Sequence, residues 1–207
     1  MAGVRRPYSI QTGGVNGENS RKDAGFTLVE LMVAVGIIVL IAVVGFGTFL
    51  HTSGYEAHSG LKAAAGELFL NMQKARAGAV KENKKWAIVF DTTAPNRYHI
   101  CSDSGDGDWE TLANNTIVRT INLATYKHGI GFGAGSAAKS ATSPPASFPA
   151  EFDFVSFTRN LVIFSPRGFP ASSGYCYLSN DQNESYAVGA MTSGVIRVKK
   201  WDRNAWK

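Results

Sequence analysis

Glu30 is the first residue whose setting suggests chemistry, because the twenty residues that follow it, Leu31 to Leu50, carry no charge. A carboxylate deep in lipid costs on the order of 2.5–3.5 kcal/mol, so an isolated one is a group in need of a cation. Asp103, Asp106, Asp108 and Glu110 place four carboxylates within eight residues. Such a set is a weak candidate for Ca²⁺, which takes about six to eight oxygen ligands. EF-hand spacing is absent, and Asp, Ser and Gly are also what a plain turn requires, which is the preferred reading. The tail carries Arg197, Lys199, Lys200, Arg203 and Lys207, interleaved with Trp201 and Trp206. On a strand, Arg197 and Lys199 share a face. Cations mixed with aromatic planes suit DNA phosphates and bases. The preferred alternative is a final strand with a solvated basic face and a tryptophan closing the core.

Cys101 and Cys176 stand 75 positions apart, with no CxxC pair or Cys/His cluster to suggest zinc. An oxidising compartment permits a disulfide between them, and two buried, unpaired thiols fit the sequence equally well. The histidines His51, His58, His99 and His128 are scattered, and His51 and His58 are seven apart rather than four. They read as ordinary surface or boundary residues. Nucleophile elbow, HExxH, Walker loop and GxGxxG are all missing, so no enzyme, cofactor or metal is expected.

The elements that carry these residues follow from periodicity. Arg21 and Lys22 precede an apolar run whose last twenty residues, as a helix, span roughly 30 Å, the hydrocarbon thickness of a bilayer. A secretory signal core is shorter, about 7–15 residues. Beyond it, Leu61, Ala65, Leu68, Met72, Ala75 and Ala79 recur at steps of four and three, with Glu56, Glu67, Lys74 and Lys81 opposite. One helix is therefore expected to about Glu82, apolar all round in its first half and amphipathic in its second.

After Asn83 the period changes to that of strands. Runs at Trp86–Asp91 and Tyr98–Ser102 predict a hairpin around Pro95-Asn96. Further strands are expected at 117–123, 126–132, 152–157, 161–164, 175–178, 186–190 and 195–199. Residues 134–150 are rich in Ala, Ser and Pro with few bulky anchors and read as a mobile loop. One long helix before several short strands predicts an α+β fold, the amphipathic half packed on a small antiparallel β domain of two sheets. The expected organisation is 1–25 leader, 26–52 hydrophobic helix, 53–84 amphipathic helix and 85–207 β domain. Charge is unevenly placed. The chain is +5 overall, but the leader holds Arg5, Arg6, Arg21 and Lys22 against Glu18 and Asp23. Residues 195–207 hold their five cations against Asp202, leaving 26–194 near −1.

Lys22-Asp-Ala-Gly-Phe-Thr-Leu-Val-Glu-Leu31 resembles the cleavage and assembly signal of type IV prepilins and type II secretion pseudopilins. The resemblance implies that prepilin peptidase, a membrane enzyme, cuts between Gly25 and Phe26 and methylates the amine of Phe26. It implies that Glu30 neutralises the N-terminal amine of a neighbouring pilin or pseudopilin subunit. The leader is long for prepilins whose mature chain starts with Phe, and many pilins carry proline where this chain has Gly47. Leu161-Val-Ile-Phe-Ser-Pro-Arg-Gly168, Tyr186-Ala-Val-Gly189 and Gly194-Val-Ile-Arg-Val198 resemble the globular domain of GspH and FimT/FimU minor pilins. Together these resemblances imply a minor subunit of a type IV pilus or type II secretion filament. Before assembly it would be held by a single pass in the bacterial inner membrane, with the β domain in the periplasm. Binding of DNA through the basic tail is the alternative function.

Overall fold

The computed structural model describes residues 27–207 apart from 94–95, 106 and 110–114, and over residues 43–55 it describes the backbone alone. The chain divides into two units, Met1–Phe46 and Gly47–Lys207. Helix α1 (Leu28–Glu82) is followed by β1 (Trp86–Asp91), β2 (Arg97–Ser102), β3 (Thr116–Asn122) and β4 (Gly131–Phe132). Then come β5 (Leu161–Phe164), β6 (Gly174–Ser179), β7 (Ser185–Ala190) and β8 (Ile196–Lys200).

Both ends of α1 carry recognisable stop signals. Thr27 stands just before the first turn, and its Oγ1 accepts the Glu30 N–H at 3.2 Å. Thr at the cap with Glu three residues on is the capping-box sequence, and it satisfies a donor the helix itself leaves open. At the other end Asn83 adopts φ 50°, and the Lys84 N–H reaches back to Ala79 O at 3.3 Å. That left-handed closure ties off one of the last free carbonyls of the helix.

In the first unit, the large apolar residues from Leu28 to Ile41 are exposed on all sides of the helix. Among the described residues, no helix is long and apolar enough to cross a membrane. The uncharged run that the sequence assigns to lipid extends through positions 43–50, whose side chains lie outside the described set.

In the second unit, the expected stripe of Leu61, Ala65, Leu68, Met72, Ala75 and Ala79 is buried, joined by Ala57 and Ala64. Two antiparallel sheets pack on it, ordered β3-β2-β1-β5 and β4-β6-β7-β8. The first contributes Ile88, Phe90, Tyr98, Ile100, Val162 and Phe164 to the shared core. The second contributes Cys176, Leu178, Tyr186, Val188, Ala190 and Ile196. Fully burying one such aliphatic or aromatic side chain contributes about 1.5–3 kcal/mol, so this interface dominates the unit's stability.

Two strand expectations are corrected, and contacts appear in a segment where few were expected. Residues 152–157 form no strand; only an isolated bridge joins Val155 to Cys176. The aromatic alternation there serves a cover: Phe148 and Phe152 meet the Tyr177 ring at centroid distances of 5.1 and 5.9 Å. Residues 134–150, expected to be a loop with few anchors, do carry several. Ala137 and Ala141 are buried, and the Ala141 N–H donates to Tyr177 Oη at 2.9 Å. The Trp206 Nε1–H donates to Lys139 O at 2.7 Å. Small residues lack bulk, but they let backbone come close enough to bond directly. Finally, the run expected over 126–132 is a strand only at Gly131–Phe132.

Candidate assembly site and basic edge

The N-terminal candidates fall in two places. Gly25 and Phe26 lie outside the described residues. Glu30 is exposed in the first turn of α1, among Leu28, Val29, Leu31 and Met32, which are 60–76% exposed. The open N–H groups of a helix start favour an anion there. Phe26 is four residues away in sequence, about one helical turn.

The tail cations are mostly engaged within the chain. The Lys199 Nζ donates to Ala141 O at 2.8 Å and lies 5.4 Å from the centre of the Tyr175 ring. The Lys200 Nζ pairs with Glu184 Oε1 at 3.4 Å, and Lys207 pairs with Asp202. Trp201 is buried, with its ring 5.4 Å from that of Trp206 at an interplanar angle of 58°. Arg197 and Lys199 do share one face, as the strand period requires. They border a cleft floored by Tyr175 and Met191, beside the hydroxyls of Ser156 and Ser173. Most of the tail's basic charge thus holds the covering segment and the strand ends in place.

Glu184 is a residue the sequence did not single out. Its Oε2 lies 3.1 Å from His58 Nδ1, so it ties α1 to the start of β7 as well as holding Lys200. Burial pushes its pKa up, but the His58 hydrogen bond and the charges of His58 and Lys200 outweigh burial, and the net shift is downward. No local pattern could have revealed this trio, whose members are up to 142 positions apart.

Of the other histidines, His99 Nδ1 meets Thr120 Oγ1 at 2.8 Å. Burial lowers the His99 pKa, with Arg97 adding to the effect against Asp91. His128 lies between Glu56 at 3.8 Å and Asp181 at 3.7 Å. The His51 side chain is outside the described set.

The two cysteines are not joined. Both are buried free thiols. Cys176 faces the helix-side core, whereas Cys101 faces the opposite side of the first sheet with Ala87, Trp109 and Leu161. The sheet itself stands between them, so the bridged alternative is set aside. Burial pushes the Cys101 thiol up to about 11 and the Cys176 thiol well above its ordinary value.

In the acidic run, Asp103 Oδ1 accepts the N–H groups of Gly105 at 2.8 Å and Gly107 at 3.3 Å. Gly105 and Gly107 have φ of 112° and 68°, which explains the glycines of this turn. Asp108 is described, while Asp106 and Glu110 lie outside the described residues.

An exposed apolar helix start carrying one carboxylate, followed by a helix packed on two small antiparallel sheets, is the arrangement of a subunit suited to association. Residues 20–46 match the prokaryotic N-terminal methylation motif. Residues 64–194 match the family described as type II transport protein GspH, and the chain belongs to that family. It is a minor pilin or pseudopilin. Two solved structures are similar at low identity. The minor pseudopilin EpsH from the type 2 secretion system of Vibrio cholerae is 13% identical, over 67% of this chain and 94% of that one, with a TM-score of 0.43. The type IV minor pilin FimU of Pseudomonas aeruginosa is 15% identical, over 74% and 96%, with a TM-score of 0.44. No curated relative matches the chain.

Proposed function

We propose that this minor pilin or pseudopilin is made as a precursor held in the bacterial inner membrane and cut between Gly25 and Phe26 by prepilin peptidase. Phe26 is then N-methylated, and the subunit joins a filament of other pilin or pseudopilin subunits through the first part of α1. Glu30 meets the N-terminal amine of a neighbouring subunit, and the β domain occupies the periplasm. The observation that carries this reading is the surface of the first unit. Eleven large apolar side chains from Leu28 to Ile41 are each more than half exposed around a single carboxylate. Such a surface is not stable in water, and lipid followed by neighbouring helices accounts for it. Arg21 and Lys22 beside it favour a cytoplasmic N-terminus. The role is structural, with no reaction assigned to the chain.

Intact-mass measurement after co-expression with prepilin peptidase tests the proposal. The expected product lacks residues 1–25 and carries one added methyl group. An uncut chain, alongside another prepilin cut by the same peptidase, would overturn the processing step.

A further inference from the structure

The second sheet ends in β8, and the direction of that strand's hydrogen bonds is set by its flanks. The Met191 N–H donates to Val195 O at 2.9 Å, and the Trp201 N–H donates to Ser185 O at 3.0 Å. Residues 195 and 201 therefore face β7. The Lys200 N–H donates to Lys207 O at 2.8 Å, and Lys200 O accepts the Lys207 N–H at 2.9 Å, so Lys200 faces away from β7. In an antiparallel ladder, successive residues alternate between the two sides. Ile196 and Val198 accordingly turn their N–H and C=O groups outward with Lys200. Lys200 is closed off by the chain's own end, but no main-chain partner reaches Ile196 or Val198 among the described residues. Val198 is 39% exposed and Val195 44%. An outward row of free donors and acceptors is a template for another strand.

We propose that the β8 edge at Ile196–Val198 accepts an added strand from a neighbouring filament subunit, an extended segment bearing acidic side chains two residues apart. The proposal rests on the filament reading above. Main-chain pairing supplies affinity in this mode of recognition, and side chains supply the choice of partner. A strand laid beside β8 places its alternate side chains next to Arg197 and Lys199, over the cleft floored by Tyr175 and Met191. Carboxylates there gain, and cations are repelled. The same repulsion keeps two copies of β8 from pairing edge to edge in register. The charge agrees: Lys200 and Lys207 are paired within the chain, whereas Arg197 stands exposed at the cleft with its charge available to a carboxylate. Duplex DNA would use the two cations but leave the main-chain groups of Ile196 and Val198 unpaired.

The test uses the full chain, co-expressed with prepilin peptidase and its filament partners, with a photo-cross-linking amino acid at position Val195. Irradiated filaments should yield a cross-link to an extended segment of another subunit with acidic residues two apart. Val198→Pro deletes an N–H that bonds nothing within the chain, at an edge where proline is tolerated. It should lower the cross-link yield at least tenfold while leaving the melting temperature within a few degrees. Val198→Ala keeps the N–H and should keep the cross-link. If the proline variant misfolds, Arg197→Glu, at an exposed residue, decides instead and must lower the cross-link yield at least tenfold. A cross-link that persists in the variants, or that runs to a helical segment or to DNA, would overturn the assignment. A chain incorporated into filaments without any such cross-link overturns the edge assignment alone. A chain absent from filaments overturns the filament reading and this one with it.

Discussion

Arg76 on α1 donates from Nη1 to the carbonyl oxygen of Gly194 at 2.9 Å, joining the helix to the turn between β7 and β8 across 118 positions. The same side chain lies against Gly168 of the Pro-Arg-Gly turn, where a Cβ would meet Val80 at 3.1 Å and Arg76 Nε at 3.3 Å. Gly168 and Gly194 have φ of 79° and 85°, in the region that favours glycine. The two turns by which the β domain resembles GspH-type subunits thus converge on one helix residue.

Removing that guanidinium leaves the Gly194 carbonyl without its partner. Arg76→Ala should therefore destabilise the β domain by about 1–3 kcal/mol, read as a lower melting temperature. An unchanged melting temperature would mean that water replaces the contact without loss.

Glu30→Ala should leave the melting temperature of the β domain unchanged and abolish incorporation into filaments. The carboxylate is exposed and contributes nothing to the core of the second unit. Quantifying the variant in sheared filaments checks this, and normal incorporation would exclude Glu30 as the assembly contact.

Glu184 makes stability depend on pH in one direction. Its pKa is depressed in the folded state. The stability it contributes is therefore fully present above the unfolded value, about 4.3, and is lost as pH falls through the lower folded value. Glu184→Gln should lower the melting temperature at pH 7 and flatten the decline seen below about pH 4.3. Parallel acid melts of the two proteins would disprove the linkage.

Thiol counting without reductant should find no reactive cysteine in the native protein and two after denaturation. Cys101 and Cys176 are free, buried and separated by the first sheet. Their raised pKa values further suppress the reactive thiolate. Fewer than two thiols in denaturant would indicate oxidation that this fold does not accommodate.

Duplex DNA should bind weakly at most, because Lys199, Lys200 and Lys207 are already engaged within the chain. Each phosphate contact adds about −0.9 to the log–log salt slope, so a slope no steeper than about −2 is expected. Titration at two salt concentrations, beside Lys199→Ala/Lys200→Ala/Arg203→Ala, measures it. A steep slope lost in that variant would assign the tail to DNA.

What was legible in the sequence was local. The buried stripe from Leu61 to Ala79 repeats every three or four residues, and β1, β2 and β5 to β8 appear as short runs near their observed places, because backbone geometry fixes which neighbours share a face. The resemblance to GspH-type subunits rested on equally local turns. Whatever depended on which faces meet in space was not legible. The small-residue run 134–150 gave no sign that Ala141 would bond Tyr177, since tyrosine and backbone come together only once the second sheet exists. Glu184 carried no signal in the sequence, and only folding brings His58 and Lys200 beside it. Cys101 and Cys176 are parted because Cys101 turns to the outer face of the first sheet while Cys176 turns to the helix-side core, and β8 is an edge because the strand order ends there. Short-range periodicity is written by the covalent chain, whereas strand order, cover and pairing are set by long-range burial, which no single stretch of sequence contains.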